Sequence, residues 1–135
     1  MMLSQKVMLC RGIRGATTTD ANTKEDIVAT TKALLREMIS ANEVQEEEVA
    51  CIFFTTTHDL NAEFPAVGAR ELGLTRAPLL CGHEMAVPGS LPMCLRILIL
   101  FNTEKSYDEI VHVYRKGAQG LRSDSGSKGS SLKEQ

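Results

Sequence analysis

Two arginines flank an apolar residue in Arg11-Gly12-Ile13-Arg14-Gly15-Ala16-Thr17-Thr18, with glycines that let backbone come close and two hydroxyls following. A guanidinium keeps its charge at any working pH and grips a carboxylate through a planar fork of donors, so this segment predicts an anion site near the N-terminus. Arg96 is a further cation of interest. In residues 94–101 the alternation puts Leu95, Ile97, Ile99 and Phe101 on one face and Cys94, Arg96, Leu98 and Leu100 on the other, so a charge interrupts an apolar face. An arginine held there needs an anion. Arg70 and Arg122 extend the set, and Glu84, Cys81 and Tyr114 form a polar minority near apolar elements. Several cations with one carboxylate and no evident base suit binding and polarising a polyanion, not shuttling protons.

The elements that must hold these groups follow from periodicity and punctuation. Residues 7–13 form an apolar run that predicts a buried strand ending at Arg14. Asn22 and Glu25 resemble a capping box, and Ile27, Thr31, Leu34, Leu35, Met38 and Ile39 then recur at helical spacing as far as Asn42. A β-branched and aromatic run at 49–55 reads as an interior strand leading into a polar turn at 56–59. Phe64-Pro65 opens a second helix that carries Arg70 and Glu71 and stops at Gly73. Residues 78–81 read as a third strand, 82–92 as a long loop, 94–101 as a fourth strand, 106–109 as a turn and 110–115 as a last strand. The chain is read as a single domain over 7–122, with a short extension at 1–6 and a disordered tail over 123–135 rich in Ser, Gly, Lys and Glu.

Composition narrows the function classes. A net charge of -2 without a basic stripe gives no attraction to nucleic acid. The apolar run after Lys6 is too short for a signal peptide or a membrane span, and four cysteines without Cys-x-x-Cys spacing read as reduced thiols, so a cytoplasmic protein is expected. Cys81-Gly82-His83-Glu84 and Pro92-Met93-Cys94 faintly suggest a zinc deaminase, but His83 abuts Glu84 and Cys94 lacks a partner three residues on. No Gly-rich phosphate loop is present, because residues 11–18 supply two glycines three residues apart. His58 and His112 read as turn and strand residues; His112 titrates near neutrality if partly buried.

The order of segments resembles the monofunctional trimeric α+β chorismate mutases over roughly residues 9–124. The motifs are Arg11 to Thr18, Asp59-Leu60-Asn61-Ala62-Glu63-Phe64-Pro65-Ala66 with Arg70-Glu71, Glu84-Met85 with Gly89, Cys94-Leu95-Arg96, and His112-Val113-Tyr114 followed by Leu121-Arg122. Each is weak alone, and their joint spacing is specific. The resemblance implies an α+β, ferredoxin-like subunit with helices on one face of a mixed sheet. It implies a homotrimer with a pseudo-α/β-barrel core and active sites between neighbouring subunits.

The reaction it implies is the Claisen rearrangement of the dianion chorismate to prephenate in Phe and Tyr biosynthesis, with no cofactor and no metal. In that reading Arg96 is the decisive cation beside the ether oxygen, and Arg14 shares in carboxylate binding. Glu84 lies by the substrate hydroxyl and the ring portion that becomes electron-poor, with Cys81 as its neighbour. Tyr114 adds a phenolic donor, Phe64 an apolar wall, and Arg70 and Arg122 close the rim, with Leu121 among the substrate contacts. Arg70 is expected from one subunit and Arg14, Glu84, Arg96 and Tyr114 from the next. Two departures stand out: Val67 replaces a lysine often found there, and Gly117-Ala118-Gln119-Gly120 loosens a usually apolar segment. The other readings are a trimeric enamine or imine deaminase of the same fold, which relies on one arginine beside an activated water, and a non-catalytic trimer that binds a metabolite.

Overall fold

The computed structural model describes residues 7–121. Its strands are β1 (Leu9–Thr18), β2 (Val49–Thr56), β3 (Leu79–His83), β4 (Cys94–Thr103) and β5 (Val113–Tyr114), and its helices are α1 (Lys24–Asn42) and α2 (Ala66–Glu71). The sheet runs β3-β2-β4-β1-β5. β4 is antiparallel to both β1 and β2, whereas β3 joins β2 and β5 joins β1 in parallel. This is the mixed α+β sheet expected from the sequence, with β4 inserted between the strands of the β1-α1-β2 unit.

One face of the sheet carries the core. Leu95, Ile97, Ile99 and Phe101 of β4, Ile13 of β1, and Ile52 and Phe54 of β2 are buried with Ile27, Leu34, Leu35 and Met38 of α1 and Ala66 and Ala69 of α2. Each large side chain so buried contributes roughly 1.5–3 kcal/mol, so the helix face fixes the register of every long strand. The opposite face stays half-exposed at Phe53, Thr55, Arg96, Leu98 and Leu100.

Several boundaries differ from the sequence reading: β3 and β4 each run two residues further, to His83 and Thr103, and three other differences bear on the site. β1 runs on through Thr18, because β4 supplies a full antiparallel ladder to Arg14–Thr18, whose Gly, Ala and Thr residues carry little apolar signal. Arg14 is therefore a mid-strand residue. The N-cap of α1 is Thr23, whose Oγ1 accepts the Asp26 N–H at 3.1 Å. Asn22 instead accepts the N–H groups of Asn61 and Ala62, both at 3.0 Å, and fixes the turn that precedes Phe64. The last strand shrinks to two residues, since the His112 Nδ1, not a backbone carbonyl, accepts the Arg14 N–H at 3.0 Å. The side chain of Asn42 ties the end of α1 to this segment, accepting from Val111 N and donating to Val111 O, both at 2.8 Å. Arg122 and the tail over 123–135, like the extension at 1–6, lie outside the described residues.

Candidate active site

A single rung of the sheet builds the site. Tyr114 pairs with Ala16, Ala16 with Arg96, Arg96 with Thr55, and Thr55 with Gly82, so one row of paired residues crosses all five strands. Arg14 lies two residues before Ala16 and therefore on the same side of β1. These residues line a cleft of about 220 Å³ on the open face: Arg14, Thr55, Arg96, Tyr114 and Leu121, with Phe53 and Leu98 among its apolar walls. The Arg14 guanidinium carbon stands 5.9 Å from the Tyr114 ring centroid, within reach of a cation–π contact.

Arg11 does not join them. Three residues along a strand reverses the face, and its guanidinium instead lies 4.1 Å from the Tyr107 ring centroid, with Nε donating to Lys105 O at 3.1 Å. Of the two arginines that open the sequence argument, Arg14 alone serves the cleft.

Glu84 stands at the cleft margin just after β3. Its N–H donates to Thr56 O at 2.8 Å, and its C=O lies 3.1 Å from His58 Nε2, whose ring stacks on His83 at 4.6 Å between centroids. Its carboxylate accepts the Thr55 hydroxyl, and Oε2 lies 3.4 Å from Arg96 Nε. That ion pair is close but not aligned as a hydrogen bond, since Nε has no hydrogen-bond partner among the described residues. Behind Arg96, burial pushes the Cys94 thiol up from its ordinary pKa against the lowering influence of the guanidinium. Met93 N donates to Asp59 Oδ2 at 3.0 Å, and Cys94 N donates to Thr57 Oγ1 at 3.0 Å, so the entry to β4 is pinned before Arg96 begins.

Phe64 and Cys81 are elsewhere. They line a second cleft of about 310 Å³ with Leu60, Pro65 and His83, and Phe64 is exposed. Burial raises the Cys81 pKa, a shift opposed by a backbone hydrogen bond at Ala66 and by the charge of Arg70, so at neutral pH this group is a thiol and not a nucleophilic thiolate. The chain thus carries two groups of the expected residues, with Arg70 on the side of Phe64 and Cys81. Thr55 was not singled out from the sequence. Its signal was present in the strand parity, which sets it on the same face as Phe53 and opposite Phe54.

Permanent cations over a half-apolar floor and a carboxylate at the edge, with no activated nucleophile among the described residues, define a class: an α+β protein with an electrostatic site suited to a small anion. The chorismate mutase type I family model matches residues 10–125, and the chain belongs to that family. A chorismate mutase AroH of Thermus thermophilus is 47% identical over 117 residues, which is 86% of this chain and 96% of the relative. One from Bacillus subtilis is 42% identical over 118 residues, covering 87% of this chain and 93% of the relative. A solved chorismate mutase from Clostridium thermocellum superposes with a TM-score of 0.81 at 47% identity, covering 82% of this chain and 99% of that one. The chain is accordingly an isomerase of the chorismate mutase class, and neither the deaminase nor the metabolite-binding reading is favoured. Among the described residues no helix is long and apolar enough to cross a membrane.

Proposed function

We propose that this chain rearranges chorismate to prephenate in a site completed between two copies of a cytoplasmic homotrimer. The supporting observation is the partition of the expected residues between two clefts. Arg14, Arg96, Tyr114 and Leu121 line one, and Phe64 and Cys81 line the other, as two half-sites on one chain would require. One copy contributes the cationic half, with Glu84 at its margin, and a neighbour contributes Phe64, Arg70 and Cys81.

The reaction breaks an ether C–O bond while a C–C bond forms, in one concerted step, so it needs no proton transfer. What it needs is a compact conformer and charge where the polar transition state develops it. Arg14 takes a carboxylate. Arg96 lies beside the ether oxygen as it gains negative charge, and Tyr114 adds its phenol. Glu84 receives the substrate hydroxyl and faces the ring portion that becomes electron-poor, with Cys81 as neighbour. Phe64 packs on the ring, Leu121 borders the substrate, and Arg70 and Arg122 close the rim. Val67 withholds the cation that a lysine would add, and the 117–120 segment loosens closure over the site, which weakens binding more than the chemical step.

Loss of chorismate's ultraviolet absorbance with purified protein, free of added metal and nucleotide, is the test, alongside sedimentation to count subunits. Catalysed loss in a trimer is expected. Intact trimers with no rate above the spontaneous one would reject the proposal, as would full activity in a monomer for the shared site.

A further inference from the structure

Thr55 joins the strand that bears Arg96 to the strand that Glu84 directly follows. Its Cα is registered with Arg96 across β2 and β4, and with Gly82, two residues before Glu84, across β2 and β3. Its hydroxyl donates to Glu84 Oε2, the same oxygen that lies 3.4 Å from Arg96 Nε. We propose that Thr55 is a positioning residue, which holds the Glu84 carboxylate beside Arg96 in the orientation that the rearrangement uses. This rests on the reading of Glu84 and Arg96 as the reacting pair.

The directional bond comes from Thr55, not from Arg96. Arg96 Nε has no hydrogen-bond partner among the described residues although it is buried, so its attraction draws the carboxylate near without setting its rotation. A hydroxyl on a β-branched side chain does set it, because the branch leaves few χ1 choices and the strand fixes the Cβ. Thr55 also loads Oε2 alone, which leaves Oε1 to accept the substrate hydroxyl. The Glu84 and Arg96 side chains are 27% and 31% exposed, so water competes for the carboxylate and an internal donor is needed to keep Glu84 from swinging out. A threonine chosen for strand propensity alone would be served equally by valine, which keeps the branch and loses the donor.

Thr55→Val, Thr55→Ser, Glu84→Ala and the Thr55→Val/Glu84→Ala double variant, all assayed with chorismate, test this. Thr55→Val lowers kcat on the order of tenfold, the scale of a lost hydrogen bond to a charged group, while KM moves less than about threefold. Thr55→Ser restores most of that loss, and Thr55→Ala, a second variant lacking the hydroxyl, repeats it. In the Glu84→Ala background the valine costs less than about twofold, because its partner is gone. A full valine penalty without Glu84, or a change in KM with kcat intact, overturns the proposal. Wild-type kcat in Thr55→Val beside a damaged Glu84→Ala overturns the role of Thr55 alone, whereas undamaged Glu84→Ala overturns the reading on which it rests.

Discussion

Ala16 is the registered partner of Arg96 across β1 and β4, and on its other side it is the partner of Tyr114. Ala16 is 2% exposed and lines the cleft floor between the cation and the phenol. A larger side chain at that point fills the cleft from below. Ala16→Val is expected to raise KM for chorismate by about tenfold or more, since the bound guest must share the space its carboxylate or ring would occupy. Overpacking is expected to cost about 1–3 kcal/mol of stability as well, so melting is measured beside the kinetics. An unchanged KM in folded protein would mean that substrate does not lie over this rung.

Arg96→Ala is expected to cost about 3 kcal/mol or more in transition-state stabilisation, the scale of losing a single donor to a developing oxyanion. Stability should move little, because the ion pair with Glu84 is partly solvated and such pairs contribute roughly 0–1 kcal/mol. Steady-state kinetics and thermal melting together separate the two effects. Unaltered kcat/KM would remove Arg96 from its central role.

Much of this arrangement was legible in the sequence, for identifiable physical reasons. The face alternation of β4 set Leu95, Ile97, Ile99 and Phe101 inward and left Arg96 on the other side, because a period of two is unambiguous when one face is apolar. The helical repeat from Ile27 to Ile39 located α1 for the same kind of reason. The linear run from Arg11 to Thr18 did not by itself separate its two arginines, which strand parity sends to opposite faces. The hydroxyl of Thr55 was passed over because its partner lies 29 residues away and meets it through the β2-β3 pairing. The two-residue β5 owes its brevity to a side chain replacing a ladder bond, which no hydropathy pattern records.

His112 gives the molecule a specific response to acid. Partial desolvation, and then the charge of Arg14, hold its pKa below the ordinary 6.5 although the residue is largely exposed, and its Nδ1 accepts the Arg14 N–H at 3.0 Å. The unfolded chain therefore takes up this proton at a higher pH than the folded one. Stability from this group is complete above pH 6.5 and is lost as the pH falls below it towards the folded value. Melting temperature against pH is expected to drop more steeply below pH 6.5 in the native sequence than in His112→Asn. Turnover, by contrast, should stay flat through neutrality and above, since guanidinium charge does not change there. A bell centred on a histidine pKa, or identical melting slopes in the two proteins, would contradict this account.

Gly68 sets the distance between α2 and α1. A Cβ there would meet the Thr31 Cβ and Cγ2 at 3.0 Å and the Val28 carbonyl at 3.1 Å. Thr31 cannot turn aside easily, because its hydroxyl donates to Ile27 O at 2.7 Å and the residue is fully buried. Helix propensity alone would make Gly68→Ala stabilising by about 1 kcal/mol. Contact with backbone and a fixed β-branched side chain outweighs that gain, so a net loss of about 1–3 kcal/mol is expected from chemical denaturation. Because α2 carries Arg70 and begins two residues after Phe64, its displacement should also raise KM, through the half-site proposed for Phe64, Arg70 and Cys81. A Gly68→Ala protein more stable than the parent would show that the helices can separate freely, and that Phe64 and Arg70 are placed by something other than this contact.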